Sequence, residues 1–483
     1  MNPALPRSIR STTSALGLLL PLLLVLPFAS QDWPMWGGAA GRNMVSAVTN
    51  LPASWDIKAK TNITWKADLG STSYGNPVIA DGRVYVGTNN ALARNPDITG
   101  DKGVLVCFRE SDGAFLWQAV SDKLDSGKEN DWPEQGVCSS PAVEGKRLYY
   151  VTNRGELVCL DTGGFLDGTN DGVQDEKYKG PTDADVIWRV DMMKELGVFQ
   201  HNMANSSAVV WEDLVLVETS NGRDDNHEKV PAPRAPSFIA VNKNTGKVIW
   251  QDNSPGDAIL HGQWSSPSLG EVGGTWQAFF PGGDGRLYGF NARTGERLWT
   301  FNLNPKGAVW PKTKNDGIAT PVFSSDKVFL AVGQDPESGE GVGHMYAIDP
   351  SRRGDITESG RIWHYDKIRR SISTAAIAGG LVYISDFSGF LHCLDEATGK
   401  PYWTFDMLAA VWGSPLVADG KVYLGDEDGD VIVLQAGKEL KKLAEINMGS
   451  SVYGTPVAAN GVLYIMTRSE LYAIAAGKTG PRE

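Results

Sequence analysis

From about residue 60 onward, apolar and polar positions alternate in short runs separated by glycine-bearing turns, and a period of two predicts half-buried β-strands. The runs PVIADGRVYVG (77–87) and PLVADGKVYLG (415–425) each place two alternating segments around Asp-Gly. Asp-Gly, Gly-Gly or Asn-Gly supplies the positive φ that a two-residue hairpin turn requires. A further alternating strand follows, as in GRLYGFN (285–291), GHMYAID (343–349) and GFLHCLD (389–395), often then a Thr-Gly turn and a short strand that ends in tryptophan. Seven such tryptophans recur, Trp65, Trp117, Trp188, Trp250, Trp299, Trp363 and Trp403, and Leu443 takes the eighth place.

The unit is therefore four strands long and returns at irregular intervals of 40 to 71 residues, which predicts propeller blades with loops inserted between some strands. Inner strands begin near Tyr74, Cys138, Ala204, Trp264, Ile318, Ile372, Trp412 and Tyr453. The expectation is an all-β, eight-bladed β-propeller of four-stranded antiparallel blades. SELYAIA (469–475) is followed by no tryptophan-ended strand, so the N-terminal strand NITWKADL (62–69) should complete the last blade and close the ring, removing exposed sheet edges. The domain reading is a signal peptide over 1–30, an extension over 31–61, the propeller over 62–477 and a tail over 478–483.

The segments CLDEATGKPYW (393–403), AVNKNTGKVIW (240–250) and GFNARTGERLW (289–299) resemble the tryptophan-docking repeat of the PQQ-like (pyrroloquinoline-quinone) β-propeller superfamily. That repeat is shared by quinoprotein dehydrogenases and by BamB-like outer-membrane assembly factors. DWPMWGG, HGQWSSP, FPGGDGRLYGF, GQDPESGEGVGH and VYLGDEDGD extend the resemblance to exported members of the superfamily through nearly the whole chain. It implies a fold and leaves function to the site. The WD40 alternative is disfavoured, because Trp55-Asp56 lies before the repeats and no Gly-His pattern accompanies it.

The first thirty residues carry Arg7 and Arg10, no acidic residue, and an apolar stretch from Leu16 to Phe28 broken by Pro21 and Pro27. This is a signal-peptide pattern, and it is shorter than the roughly 20 residues a membrane-crossing helix needs. The expected location is periplasmic or extracellular, without a transmembrane segment. No cysteine precedes Cys107, so no lipid anchor is expected. A net charge of −12 argues against nucleic acid as partner, since binding it rests on basic patches. The absence of linkers points to one repeat array, and a monomer is expected.

Aligned on the proline of the inner strand, the preceding residues are Asn76, Ser140, Ser206, Ser266, Thr320, Thr374, Ser414 and Thr455, with Ser207 and Ala375 replacing the proline in two blades. These small polar side chains are expected to satisfy backbone groups near the axis. Two places earlier, Tyr74, Trp264, Trp412 and Tyr453 put aromatics at the channel mouth, where they either wedge between blades or stack on a planar ring or sugar. Cys107, Cys159 and Cys393 share the strand position of Gly289, Ala347 and Ala473 and read as small packing residues. Cys138 begins an inner strand, and no pairing of the four follows from sequence.

Of the acidic loops, DGTNDGVQDE (167–176) fits calcium best, with Asp167, Asp171 and Asp175 around Gly172, although Tyr178 stands where an EF-hand has its glutamate. His227, His261 and His344 fall in or beside inserted loops and could share one face with Asp335 and Glu337. No two of the six histidines have metal-ligand spacing, which argues against zinc. The favoured reading is a noncatalytic binding or scaffolding module for a protein or glycan. A PQQ- and calcium-dependent quinoprotein dehydrogenase of alcohols or sugars is the alternative, although the adjacent cysteines and haem motif such enzymes resemble one another in are missing. A carbohydrate-active enzyme using loop carboxylates is a third possibility.

Overall fold

Each repeat folds as a four-stranded antiparallel sheet, and eight of these sheets follow one another along the chain. The computed structural model describes residues 31–334, 339 and 341–479, with Met1 and Ala4 as isolated positions. The rest of residues 1–30, where the signal peptide is expected, and Asp335 and Glu337 lie outside the described residues. Blade one is built from Val78–Ala80, Arg83–Asn89, Lys102–Arg109 and Phe115–Asp122, in that order from the axis outward. Blades two to seven repeat this order. In blade eight the inner three strands are Val457–Ala459, Val462–Met466 and Glu470–Thr479, and the outer strand is Thr61–Asp68 from the N-terminal side. Trp65 pairs with Ala473 across that junction, so the ring closes as the repeat count requires. The last strand runs through Thr479, two residues past the end expected from sequence.

The recurrent tryptophan joins neighbouring blades. Trp65 Nε1–H donates to the Glu110 carbonyl of blade one, Trp117 to Thr162, Trp188 to Lys243, Trp250 to Ala292, Trp363 to Glu396 and Trp403 to Gly437, all at 2.8–3.0 Å. Each acceptor lies in the turn between the third and fourth strands of the next blade. The Thr-Gly glycines make room for this: Gly399 has φ +69°, and a Cβ there would stand 2.6 Å from Trp363. Trp299 differs, donating to the Gln277 side chain of its own blade, which in turn donates to the Pro350 carbonyl of blade five.

Beside each docked ring sits the shared small residue. Cys107 is paired between Tyr85 and Trp117, Cys159 between Tyr149 and Trp188, and Cys393 between Tyr383 and Trp403. Gly289, Ala347 and Ala473 occupy the same place in their blades. A larger side chain would displace the tryptophan. All four cysteines are free, and burial raises their thiols well above the ordinary range.

The N-terminal extension is more than a lead-in. Between Gln31 and Ser46 it crosses the inner strands of all eight blades, meeting in turn Ile79, Val143, Ser207 and Ala208, Leu269, Phe323, Ala375 and Ile377, Val417 and Ala458. Val45–Ser46 adds a short parallel strand to blade seven. The hairpin turns between first and second strands face this segment: Asp81 N–H donates to Asp32, and Asp32 accepts from Asn460. One end of the channel is thereby stoppered by the chain itself.

Arg42 anchors the stopper. It is fully buried with a left-handed φ of 63°, and its guanidinium donates to the carbonyls of Trp36, Ser207, Ala208 and Pro267 at 2.7–2.9 Å. Burial lowers its pKa to about 9, so it remains charged at neutral pH and is solvated by carbonyl dipoles. Trp33, Met44, Val48, Leu51 and Trp55 extend the same segment into the core shared with blades one, six, seven and eight.

Candidate functional site at the open end of the channel

Around the axis the small polar residues form a relay between blades. The N–H of Asn76 donates to Ser140, Ser140 to Ser207, Ser207 to Ser266, Thr374 to Ser414, Ser414 to Thr455 and Thr455 back to Asn76. In blade three the acceptor is Ser207 and not Ser206, whose hydroxyl instead receives the Glu218 N–H. Blade three has no proline at this place, and its relay residue stands one position later than alignment on the other blades predicts.

With this register, the residue two places before the relay in every blade lines a single cavity of about 660 Å³: Tyr74, Cys138, Asn205, Trp264, Ile318, Ile372, Trp412 and Tyr453. Trp36 of the stopper also lines it, and its indole donates to Thr320 at 3.3 Å. The four aromatics remain half-buried and lie outside the inter-blade cores, so they line the mouth and do not wedge between blades. Tyr74, Trp412 and Tyr453 pack together with centroids 5.6–6.5 Å apart and form one wall. Burial pushes the Tyr74 phenol up to about 12. The Trp412 indole N–H and Asn205 Oδ1 have no hydrogen-bond partner.

The facing wall holds Trp264 and three histidines. His201 comes from the connection between blades two and three, His227 from the long second-to-third-strand loop of blade three, and His261 from the connection between blades three and four. One ligand atom from each lies within 4.8 Å of the others. His261 Nε2 and His227 Nε2 are 3.0 Å apart, and the His201 and His261 rings lie 5.7 and 4.9 Å from Trp264. His201 and His261 are buried and His227 is exposed.

Arg223 ties the three connections together. Its carbonyl accepts from His201 Nδ1 at 2.7 Å, its N–H donates to the His261 carbonyl, and its guanidinium donates to the carbonyls of His227 and Ile259. Gly222 permits the approach, since a Cβ there would stand 2.5 Å from His201 Cβ. His201 and Arg223 escaped the sequence reading. They belong to no spacing pattern that sequence alone could reveal.

The remaining sequence candidates fall elsewhere. His344 opens the third strand of blade five, bonds to His364 at 3.1 Å and is not among the cavity-lining residues. Burial, and then His364, lower its pKa to about 4. Asp167, Asp171 and Asp175 lie between the third and fourth strands of blade two, a connection at the stoppered end of the blade. They do not converge. Asp167 accepts from Thr169, Asp175 pairs with Arg189, and Asp171 is exposed. Among the described residues, the three histidines are the only group of three or more such side chains gathered at metal-binding distance.

Comparison with known proteins gives a family and a fold. Residues 181–386 and 283–476 match the family described as outer membrane protein assembly factor BamB. The outer membrane protein assembly factor BamB of Bordetella pertussis is 23% identical over 55% of this chain, which spans 66% of that relative's length. Among solved structures, BamB from Moraxella catarrhalis is similar with a TM-score of 0.55 and 14% identity, over 87% of this chain and 99% of that one. Quinohemoprotein alcohol dehydrogenase from Comamonas testosteroni is similar with a TM-score of 0.64 and 13% identity, over 94% of this chain and 82% of that one. At such identities the structural likenesses speak for the propeller fold alone. No helix among the described residues is long and apolar enough to cross a membrane.

Proposed function

Because the chain belongs to the PQQ-repeat β-propeller family described as outer membrane protein assembly factor BamB, we propose that it is an exported, noncatalytic binding module that holds a protein partner at the open end of its channel. The observation that carries this reading is the difference between the two ends. One end is filled by the chain's own residues 31–46, whereas the other opens into an aromatic-walled cavity of about 660 Å³. Connections at that open end present apolar side chains to solvent, with Leu408 87% exposed at a φ of +67° and Val309 59% exposed. An exposed leucine in a left-handed backbone is unfavourable twice over, a cost that a partner's surface would offset.

The lining is poorly suited to the quinone of the dehydrogenase relatives. That cofactor is a planar polycarboxylate held through calcium, which takes six to eight oxygen ligands. Among the described lining residues there is one carboxylate, Asp225, and one ammonium, Lys128, which lies over the Trp132 ring. The guanidinium below the floor is already engaged by four carbonyls. No two cysteines are adjacent to stack on the ring. These residues do not fit the group.

The test is site-specific photo-crosslinking in the producing cell, with the reactive group at Leu408 or, as control, at Ile249 on the outer strand of blade three. A discrete protein adduct from position 408 alone, lost when Trp412 and Tyr453 are both replaced by alanine, is expected. A glycan adduct would redirect the reading. A saturable rise in Tm with quinone and calcium, accompanied by dye-linked oxidation of an alcohol or sugar, would overturn it.

A further inference from the structure

We infer that His201, His227 and His261 form a binding site for one divalent transition-metal ion, zinc(II) or an ion of similar preference, with its remaining coordination position facing the channel-mouth cavity. The inference does not depend on which partner the propeller holds.

Distance comes first. Imidazole nitrogens bound at about 2.05 Å to a tetrahedral ion stand roughly 3.3 Å from one another. The His227 and His261 Nε2 atoms are 3.0 Å apart, and all three ligand atoms fall within 4.8 Å. The first pair is within about 0.3 Å of that spacing, and the largest separation in the set exceeds it by at most about 1.5 Å, a distance within reach of side-chain rotation.

Protonation points the same way. A carbonyl can only accept, so the 2.7 Å contact between His201 Nδ1 and the Arg223 carbonyl makes Nδ1 the protonated nitrogen. Nε2 is then the basic nitrogen. This is the arrangement by which an outer partner fixes the tautomer and ring orientation of a ligating histidine. Arg223 also bonds to the backbone of His227 and His261, so one residue holds the three ligand-bearing connections in place.

The backbone adds a third observation. His227, Asn202 and Ser220 all have left-handed φ, at 58°, 59° and 63°. Ser220 accepts the His201 N–H, and Asn202 lines the cavity next to it. Such conformations persist where surrounding structure enforces them, and they cluster at ligand sites.

Chemistry narrows the ion. Three imidazoles suit zinc, copper, nickel or cobalt and are poor ligands for calcium or magnesium. Cys138 also lines the cavity, but burial pushes its thiol up to about 12 and it faces the carbonyls of Gln135 and Gly136, so it stays protonated. His227 and His261 line the cavity whereas His201 lies behind them, so the open position faces solvent. A water, a carboxylate or an imidazole can take it.

The whole protein, freed of metal by chelation and dialysis, is titrated with cobalt(II) and then with zinc(II). One equivalent of cobalt should bind with the visible absorption of a tetrahedral site, zinc should displace it, and calcium should not. His227→Asn, on an exposed loop, and His261→Gln should each weaken cobalt binding about 100-fold or more, as expected for loss of a direct ligand. Their Tm in chelator should match that of the parent. His344→Gln, which alters the separate His344–His364 pair, should bind as the parent does. Absence of cobalt or zinc binding at micromolar concentrations overturns the inference, as does parental affinity in both His227→Asn and His261→Gln.

Discussion

The two ends of this propeller are built from the same strands and differ in how their polar groups are satisfied. At the stoppered end, residues 31–46 bring a backbone donor, a backbone acceptor or a guanidinium to every blade, and the Arg42 charge is surrounded by four carbonyls. At the open end an indole N–H and an amide oxygen are unpartnered, three non-glycine residues near the histidines are left-handed, and a leucine stands in solvent. One end is organised for stability and the other keeps unmet interactions for a ligand, an asymmetry that eight similar blades would not produce by themselves.

Deleting residues 31–69 should have the largest effect, because it removes both the stopper and the outer strand of blade eight. The edge at Glu470–Thr479 would be left open, and loss of cooperative unfolding with aggregation is expected, whereas trimming the last four residues should leave the melting curve unchanged. Equal curves for the two truncations would break the comparison.

Next is Arg42→Met. It preserves volume but leaves carbonyls of Trp36, Ser207, Ala208 and Pro267 buried without a donor. Each orphaned group costs about 1–3 kcal/mol, so a loss of about 4 kcal/mol or more in denaturant unfolding is expected. A loss below about 1 kcal/mol would mean that the guanidinium does not anchor the stopper.

A smaller, pH-dependent effect belongs to His344. Its folded-state pKa of about 4 lies below its ordinary value, so the unfolded chain takes up the proton first. Stability associated with this group is present near neutrality and is lost as pH falls from about 6.5 towards 4, by on the order of 2 kcal/mol. His344→Gln should flatten that part of the Tm–pH profile relative to the parent. An unchanged profile would show that the His344–His364 pair does not titrate with folding.

Trp412→Phe removes the unpartnered indole N–H while keeping most of the ring, so it should change stability by less than about 1 kcal/mol in either direction. Measured beside Arg42→Met, it separates the two ends directly. The smallest effect is expected for Asp171→Ala. Because Asp167 accepts from Thr169, Asp175 pairs with Arg189 and the Asp171 side chain is exposed, the substitution should leave Tm and protease sensitivity unaltered with or without millimolar calcium. Calcium-dependent protection lost in this variant would restore the acidic loop as an ion site.

The amino-acid sequence by itself determined the blades, because the signals that make them are local. Alternation sets which face of a strand is buried, Asp-Gly and Thr-Gly set the turns, and the tryptophan docks a fixed distance after them. Closure by residues 61–68 followed from counting strands, and the small residue beside each tryptophan was visible as Cys107, Cys159 or Cys393 in register with Gly289. Where a local marker was missing, the register slipped, as at Ser206 and Ser207. Tertiary structure alone decided the two ends. Trp36 and Arg42 act on blades far away in sequence, so nothing near them indicates a stopper. His201, His227 and His261 arrive on three separate connections whose spacing is set by the stacking of blades and not by residue count. Asp167, Asp171 and Asp175 are near neighbours in sequence, yet Thr169 and Arg189 engage the first and the last while Asp171 stands exposed, and the three do not converge.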